Sequence, residues 1–215
     1  MTLIDVARFM IPGAITTLTI AIAAFPFALL VAGLTALPRI LNVPVLGTLS
    51  RLYVDFIRTT PLLAHIFVVC YAFPLFFDIR LDGVTTAIVV LALHVGAYQS
   101  EIIRAAYHAV PRQYSEAARV LGMSDRVRIV RVVAPLATRI ALPALANSLL
   151  EIFLSTVVLS LVALHDVFFK AQEYFQIYRH GIVEGYVVLV LFFLAVGLPA
   201  VRFIRRLERR IAFPT

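Results

Sequence analysis

Five stretches of this chain are long, apolar and almost free of charge. Phe9–Leu37, Thr59–Phe77, Gly83–Ser100 and Gly185–Val201 contain no Asp, Glu, Lys or Arg, and Ile140–His165 contains only Glu151. A bilayer core about 30 Å thick is spanned by roughly 20 such residues in a helix, which bonds its own backbone polar groups internally. Of the 215 residues, 62% are apolar and 14% charged; a soluble domain carries about 45–50% and about 25%. That balance excludes a soluble globular chain and a disordered one. The expectation is an all-α, polytopic membrane protein forming one transmembrane domain over 1–215. Its five transmembrane helices are expected near 9–37, 52–77, 83–108, 136–165 and 185–206. The first run is too long for a signal-peptide core and is expected to be retained.

Five spans put the two termini on opposite sides, and the basic residues choose between them. Of 19 Lys and Arg, seven fall in Ile102–Arg139, five in the tail after Val201, and Arg39 and Arg51 in the first link. Arg8, Arg80, Lys170 and Arg179 fall on the other side, and Arg58 sits at a span entrance. The basic excess therefore orients the chain with its N-terminus outside and its C-terminus in the cytoplasm. It is read as membrane topology, and nucleic acid is not expected as a partner. One cysteine, Cys70, excludes an intrachain disulfide, and five histidines without ligand spacing point to no metal.

Ile102–Arg139 is long for a loop between packed helices. Pro111 suits a helix start, and Tyr114, Ala117, Ala118 and Leu121 recur at i, i+3, i+4 and i+7. Gly122 suits the left-handed position beyond a helix end, Ser124 the next N-cap, and Pro135 a break or restart. Periodicity alone fits a helix lying on anionic lipid and a helix docked on a protein equally well.

The residues here carry a resemblance. Glu116-Ala117-Ala118, Gly122, Val132, Ala134 and Pro135 resemble the E-A-A-x3-G-x9-I-x-L-P signature of permease subunits of bacterial ABC importers, with Ala134 in place of leucine. Tyr53 to Leu63 is similar to the F-R-G-T-P-L-L segment of the polar amino-acid branch, with Thr59 in place of glycine. Ala97-Tyr98 to Arg104, followed by Val110-Pro111, is similar to its A-Y-x-x-E-I-x-R and V-P segments. The resemblance implies the type I ABC importer permease fold, with a cytoplasmic coupling segment over about 111–135. Tyr114, Glu116, Ala117, Ala118, Leu121 and Gly122 would meet the ATPase. It implies as partners an ABC ATPase dimer, a second permease subunit and a periplasmic or extracellular amino-acid-binding protein, at the bacterial inner (cytoplasmic) membrane. The chain has no G-x-x-x-x-G-K-[ST] motif. No cofactor is expected on it, and ATP and magnesium belong to the partner ATPase, so the chain itself is not an enzyme. The rival classes are a secondary transporter subunit, with more spans and a repeat, and a structural assembly protein.

Ionisable groups inside a membrane are functional candidates. Glu151 lies deep in the fourth run; it either faces the transport pathway or is a protonated glutamate bonded between subunits. Asn147, Ser148 and Ser155 form a polar stripe with it by spacing, as pathway or as helix–helix contact. Relatives that the chain resembles place Lys-Asp-Thr-Ser where Leu154, Ser155, Thr156 and Val157 stand. The charged pair is absent, and the Ser155-Thr156 pair, with Thr156 a further pathway candidate, resembles subunits of histidine, arginine and opine systems. The absence favours a heterodimer over a homodimer, with the partner permease making most ligand contacts. On the third run His94, Tyr98 and Glu101 share a face, as pathway lining or as bonded interior groups, with Glu101 expected to pair with Arg104. The aromatic link Asp166–Glu184 reads as an interfacial helix or a gating helix.

Overall fold

The computed structural model describes residues 3–78, 80–162, 164–178 and 182–211, and every regular element among them is helical. Helix α1 (Leu3–Ile40) buries Val6, Met10, Gly13, Thr17, Ala21, Ala24, Ala28, Ala32 and Ala36, a stripe at helical spacing made mostly of small residues. Lipid tails are as apolar as leucine, so membrane helices associate through close packing, and small residues permit it. The stripe lies along the helix Gly83–Ala109. At its tightest point, a Cβ on Gly96 would stand 2.8 Å from Val31 Cβ and 2.9 Å from the Ala28 carbonyl oxygen.

Between these two, α2 (Pro44–Thr59) and α3 (Leu62–Phe77) meet at 107°. The residue before a proline is pushed out of the helical region, and Thr60, preceding Pro61, is extended at φ −109°, ψ 142°. The segment read from sequence as one span over 52–77 is therefore a bent pair. The helix Gly83–Ala109 is α4, followed by α5 (Arg112–Val120), α6 (Asp125–Val162), α7 (Val167–Ile177) and α8 (Ile182–Ile211). Helices α1, α4, α6 and α8 are each long and apolar enough to cross a membrane, and the α2–α3 pair makes a fifth crossing if counted as one.

Two π turns, Val68–Ala72 in α3 and Ile129–Val133 in α6, each end two residues before a proline, Pro74 and Pro135. Proline lacks the N–H and its ring clashes with the carbonyl four residues back; the wider π turn makes room. Pro135 thus neither breaks nor restarts the helix, and the arginine-rich stretch is the first part of α6. After Ser155, α6 tightens into a 3-10 helix over Thr156–Val162, longer than such runs usually extend.

The aromatic link forms α7, docked on the bundle. Asp166 caps it, accepting from the Phe169 N–H at 2.7 Å, and the Val167 N–H donates to Thr17 Oγ1 of α1 at 3.1 Å. Val167, Ala171 and Tyr174 pack with Val6 and Met10 of α1 and Leu189 of α8. Arg179, one of the basic residues assigned to the outer side, lies outside the described residues. The main core gathers Ala24 and Ala28 of α1, Ile66 of α3, Leu91 and Val95 of α4, and Ile152 and Phe153 of α6.

Candidate functional site

Helix α5 stands between α4 and α6 and ends in a tight hydrogen-bonded turn. The Met123 N–H donates to the Ala118 carbonyl at 3.1 Å and the Gly122 N–H to the Arg119 carbonyl at 2.9 Å. Gly122 takes φ +73°. This paired closure is the Schellman arrangement, in which glycine carries the left-handed residue without a Cβ clash. Ser124 occupies the next N-cap position without a side-chain cap bond. Arg128 of α6 holds α5 from beneath, donating to Ser115 Oγ and to Asp125 Oδ1, the latter at 2.7 Å. Ser115 and Ala118 thereby define the inner face. Ala118 is 3% exposed, whereas Leu121 is 76% exposed. Tyr114, Glu116 and Ala117 are exposed with it. The four apolar residues grouped by spacing therefore divide: Ala118 packs on its own chain, and Tyr114, Ala117 and Leu121 remain outside.

Deeper in the bundle, the polar stripe of α6 also divides. Ser148 is buried and accepts a 2.7 Å hydrogen bond from Gln99 Nε2 of α4. Thr156 is buried, and its hydroxyl donates to the Phe153 carbonyl at 2.8 Å. Ser155 is half-buried, while Asn147 and Glu151 are exposed at the surface of the single chain. On α4, His94 is nearly buried. Its Nδ1 lies 3.2 Å from Nδ1 of His65, whose Nε2 is 2.6 Å from Thr60 Oγ1 at the α2–α3 bend. The Tyr98 ring lies 5.3 Å from that of His94, with the Arg58 guanidinium 5.6 Å from its centre. Glu101 pairs with Arg104 at 2.8 Å, as its spacing predicts, and also with Arg39 from the last turn of α1. The His65–His94 and Gln99–Ser148 pairs lie 29 and 49 residues apart in sequence, and no local signal points to either.

A separate cavity of about 390 Å³ opens near the start of α4, with Thr16, Cys70, Asp82, Thr86 and His165 among its lining residues. Asp82 caps α4, accepting from the Thr85 N–H at 3.0 Å, and the Thr85 bonds hold its carboxyl below the usual carboxylate range. Among the described residues, no three of His, Cys, Asp and Glu converge as metal ligands would.

The model of the family "binding-protein-dependent transport system inner membrane component" matches residues 24–213. The chain belongs to this family. As an inner membrane component it is 37% identical over 161 residues to the L-cystine transport system permease protein TcyB of Bacillus subtilis, covering 75% of this chain and 68% of that one. It is 36% identical to the probable amino-acid ABC transporter permease protein PatM of Vibrio harveyi, over 73% of this chain and 71% of that one. Identity to the glutamine transport system permease protein GlnP of Escherichia coli is 28%, over 94% of this chain and 92% of that one. The crystal structure of an amino acid ABC transporter with histidines superposes with a TM-score of 0.90 at 26% identity, covering 96% of both chains. The inward-facing MetNI methionine ABC transporter shares the fold, with a TM-score of 0.73 at 17% identity over 93% of this chain and 96% of that one. The all-helical, multi-pass architecture is thus the type I permease fold.

Proposed function

We propose that this inner membrane component forms half of the translocation pathway of an ATP-driven amino-acid importer and does no chemistry itself. The observation that carries the reading is the superposition on an amino acid ABC transporter along nearly the whole chain; the names of the relatives, for cystine, glutamine and amino acids, support the substrate class. An ATPase dimer binds ATP and magnesium, a binding protein delivers the substrate, and a second permease subunit, different from this one, completes the pathway. The positive-inside excess supports an outer N-terminus and a cytoplasmic C-terminus.

In this reading, the segment over about 111–135 transmits closure of the ATPase. Tyr114, Glu116, Ala117 and Leu121 form the contact surface, Gly122 makes the sharp exit, and Arg128 ties α5 to α6. Movement of α5 is thereby passed to the helix that bears Glu151. A carboxylate near mid-membrane is costly against lipid, so its exposure on the single chain supports a face turned to the pathway or to the second permease, with Ser155 beside it; on α4, Tyr98 and the buried His94 are the pathway residues of the same reading. Ser148 and Thr156 stiffen the wall from behind. Reconstituted with its ATPase, second permease and binding protein, the Glu116→Lys, Gly122→Asp variant is expected to insert normally, retain ATP hydrolysis and lose substrate-dependent uptake. Uptake at the unmodified rate overturns the coupling role; absence of any ATPase response to binding protein plus amino acid overturns the importer reading.

A further inference from the structure

Beside the core, an apolar groove of about 600 Å³ runs between α1, α6 and α8. Its lining extends from Leu18 to Leu29 on α1, from Leu142 to Phe153 on α6 and from Val196 to Leu207 on α8. Each stretch rises about 16 Å at 1.5 Å per residue, close to one leaflet's share, about 15 Å, of the hydrocarbon core. At one end the groove continues through Phe203 and Leu207 into a second cavity lined by Arg206 and Arg209. Arg139 stands one helical turn beyond Leu142 at the same end of α6. All three arginines are exposed, and none takes part in the ion pairs found among the described residues.

We infer that this groove is a binding site for one anionic phospholipid, with an acyl chain along α1, α6 and α8 and the headgroup phosphate at Arg139, Arg206 and Arg209. Charge complementarity selects the occupant: the wall is apolar for one leaflet's depth and then turns basic, the order of groups in a lipid and not in a membrane helix. Helix geometry separates the groove from the subunit contact. At 100° per residue, Leu142, Ala146, Leu149 and Phe153 lie on one side of α6 and Glu151 on the opposite side. On the proposed function, the pathway or second permease lies on the Glu151 face, and the groove turns to lipid. Only the choice of leaflet, the cytoplasmic one, rests on the orientation proposed above.

Native mass spectrometry of the full chain tests this, with phosphatidylglycerol and phosphatidylcholine of matched acyl chains as the probes. Phosphatidylglycerol is expected to be retained about tenfold or more over phosphatidylcholine, given three arginines beside an anionic headgroup. Arg139→Gln, Arg206→Gln, Arg209→Gln together should reduce it to the phosphatidylcholine level, and the three Arg→Lys changes should preserve it. Ala146→Phe with Ala200→Phe, filling the groove, should remove both lipids. Equal retention of the two lipids, retention by the glutamine variant, or displacement by chainless glycerol phosphate overturns the site. So does an Ala200→Cys crosslink between two copies in a Cys70→Ser background, which would make a second copy the occupant. The assay needs neither ATPase nor substrate, so its outcome is independent of the transport reading.

Discussion

Two charged residues show how burial at single positions shapes this chain. Arg39 is expected in a cytoplasmic link but stands in the last turn of α1 with its side chain 8% exposed, paired with Glu101. Glu101 thus joins two helices as well as bonding along its own. Asp166 is the more testable case. Its Oδ1 caps α7, its Oδ2 is buried without a hydrogen-bond partner among the described residues, and burial pushes its carboxyl up to about 6. A folded-state value above the ordinary 3.8 means that protons bind the folded chain more tightly. The stabilisation is full below about pH 4 and is lost as pH rises through about 6, a difference of about 3 kcal/mol. Asp166→Asn retains a good N-cap without a charge to bury. Thermal unfolding in detergent is expected to show the parent losing stability between pH 4 and 7, and the variant staying flat and melting higher at pH 7.5. Parallel pH profiles would refute the assignment.

Among elements, the contact of α1 with α4 depends on Gly96, where any side chain meets the α1 backbone. Gly96→Val is expected to destabilise by about 1–3 kcal/mol through overpacking, read as a lower detergent melting temperature, whereas Gly33→Ala, a change into open space within α1, should hold or slightly raise it, alanine being the better helix former. Helix α5 was legible in advance, since Pro111 and Gly122 act on their own neighbours, and the left-handed turn appears where the glycine places it. The inward turn of Ala118 was not, because four residues over two turns spread across a wide arc and only Arg128 decides which edge is beneath. Helix α3 shows the same limit. The single span expected over 52–77 breaks where Pro61 pushes Thr60 into extended backbone, and the 107° angle depends on what α3 packs against.

For the whole molecule, Glu151 is the exposed carboxylate of α6 that the proposed function turns toward the pathway or the second permease. Its exposure on α6 leaves few intrachain contacts to lose, so Glu151→Leu is expected to keep the helicity and melting temperature of the isolated subunit. In the reconstituted importer, the same change should lower uptake by about tenfold or more, as expected of an intramembrane carboxylate on a transport path. Unchanged uptake would place Glu151 outside the pathway. The groove on the opposite face of α6, with Arg139 of α6 and Arg206 and Arg209 of α8 at its end, is tested separately by lipid retention.

The sequence by itself determined a helical membrane protein, the bias of its charges and the turn after α5, while the break at Pro61 within the expected 52–77 span came from the structure. The first three follow from composition and from forces acting within a few residues: the cost of unpaired backbone in lipid, the arginine asymmetry, the sterics of proline and glycine. Only the tertiary structure decided which side of α1 is buried, that His65 meets His94 and Gln99 meets Ser148, that Arg39 reaches Glu101, and that Glu151 looks outward while Ser148 turns in. In α1, apolar residues face both protein and lipid, so hydrophobic periodicity does not identify its buried side. That information enters when small side chains let particular helices approach and distant polar groups find each other.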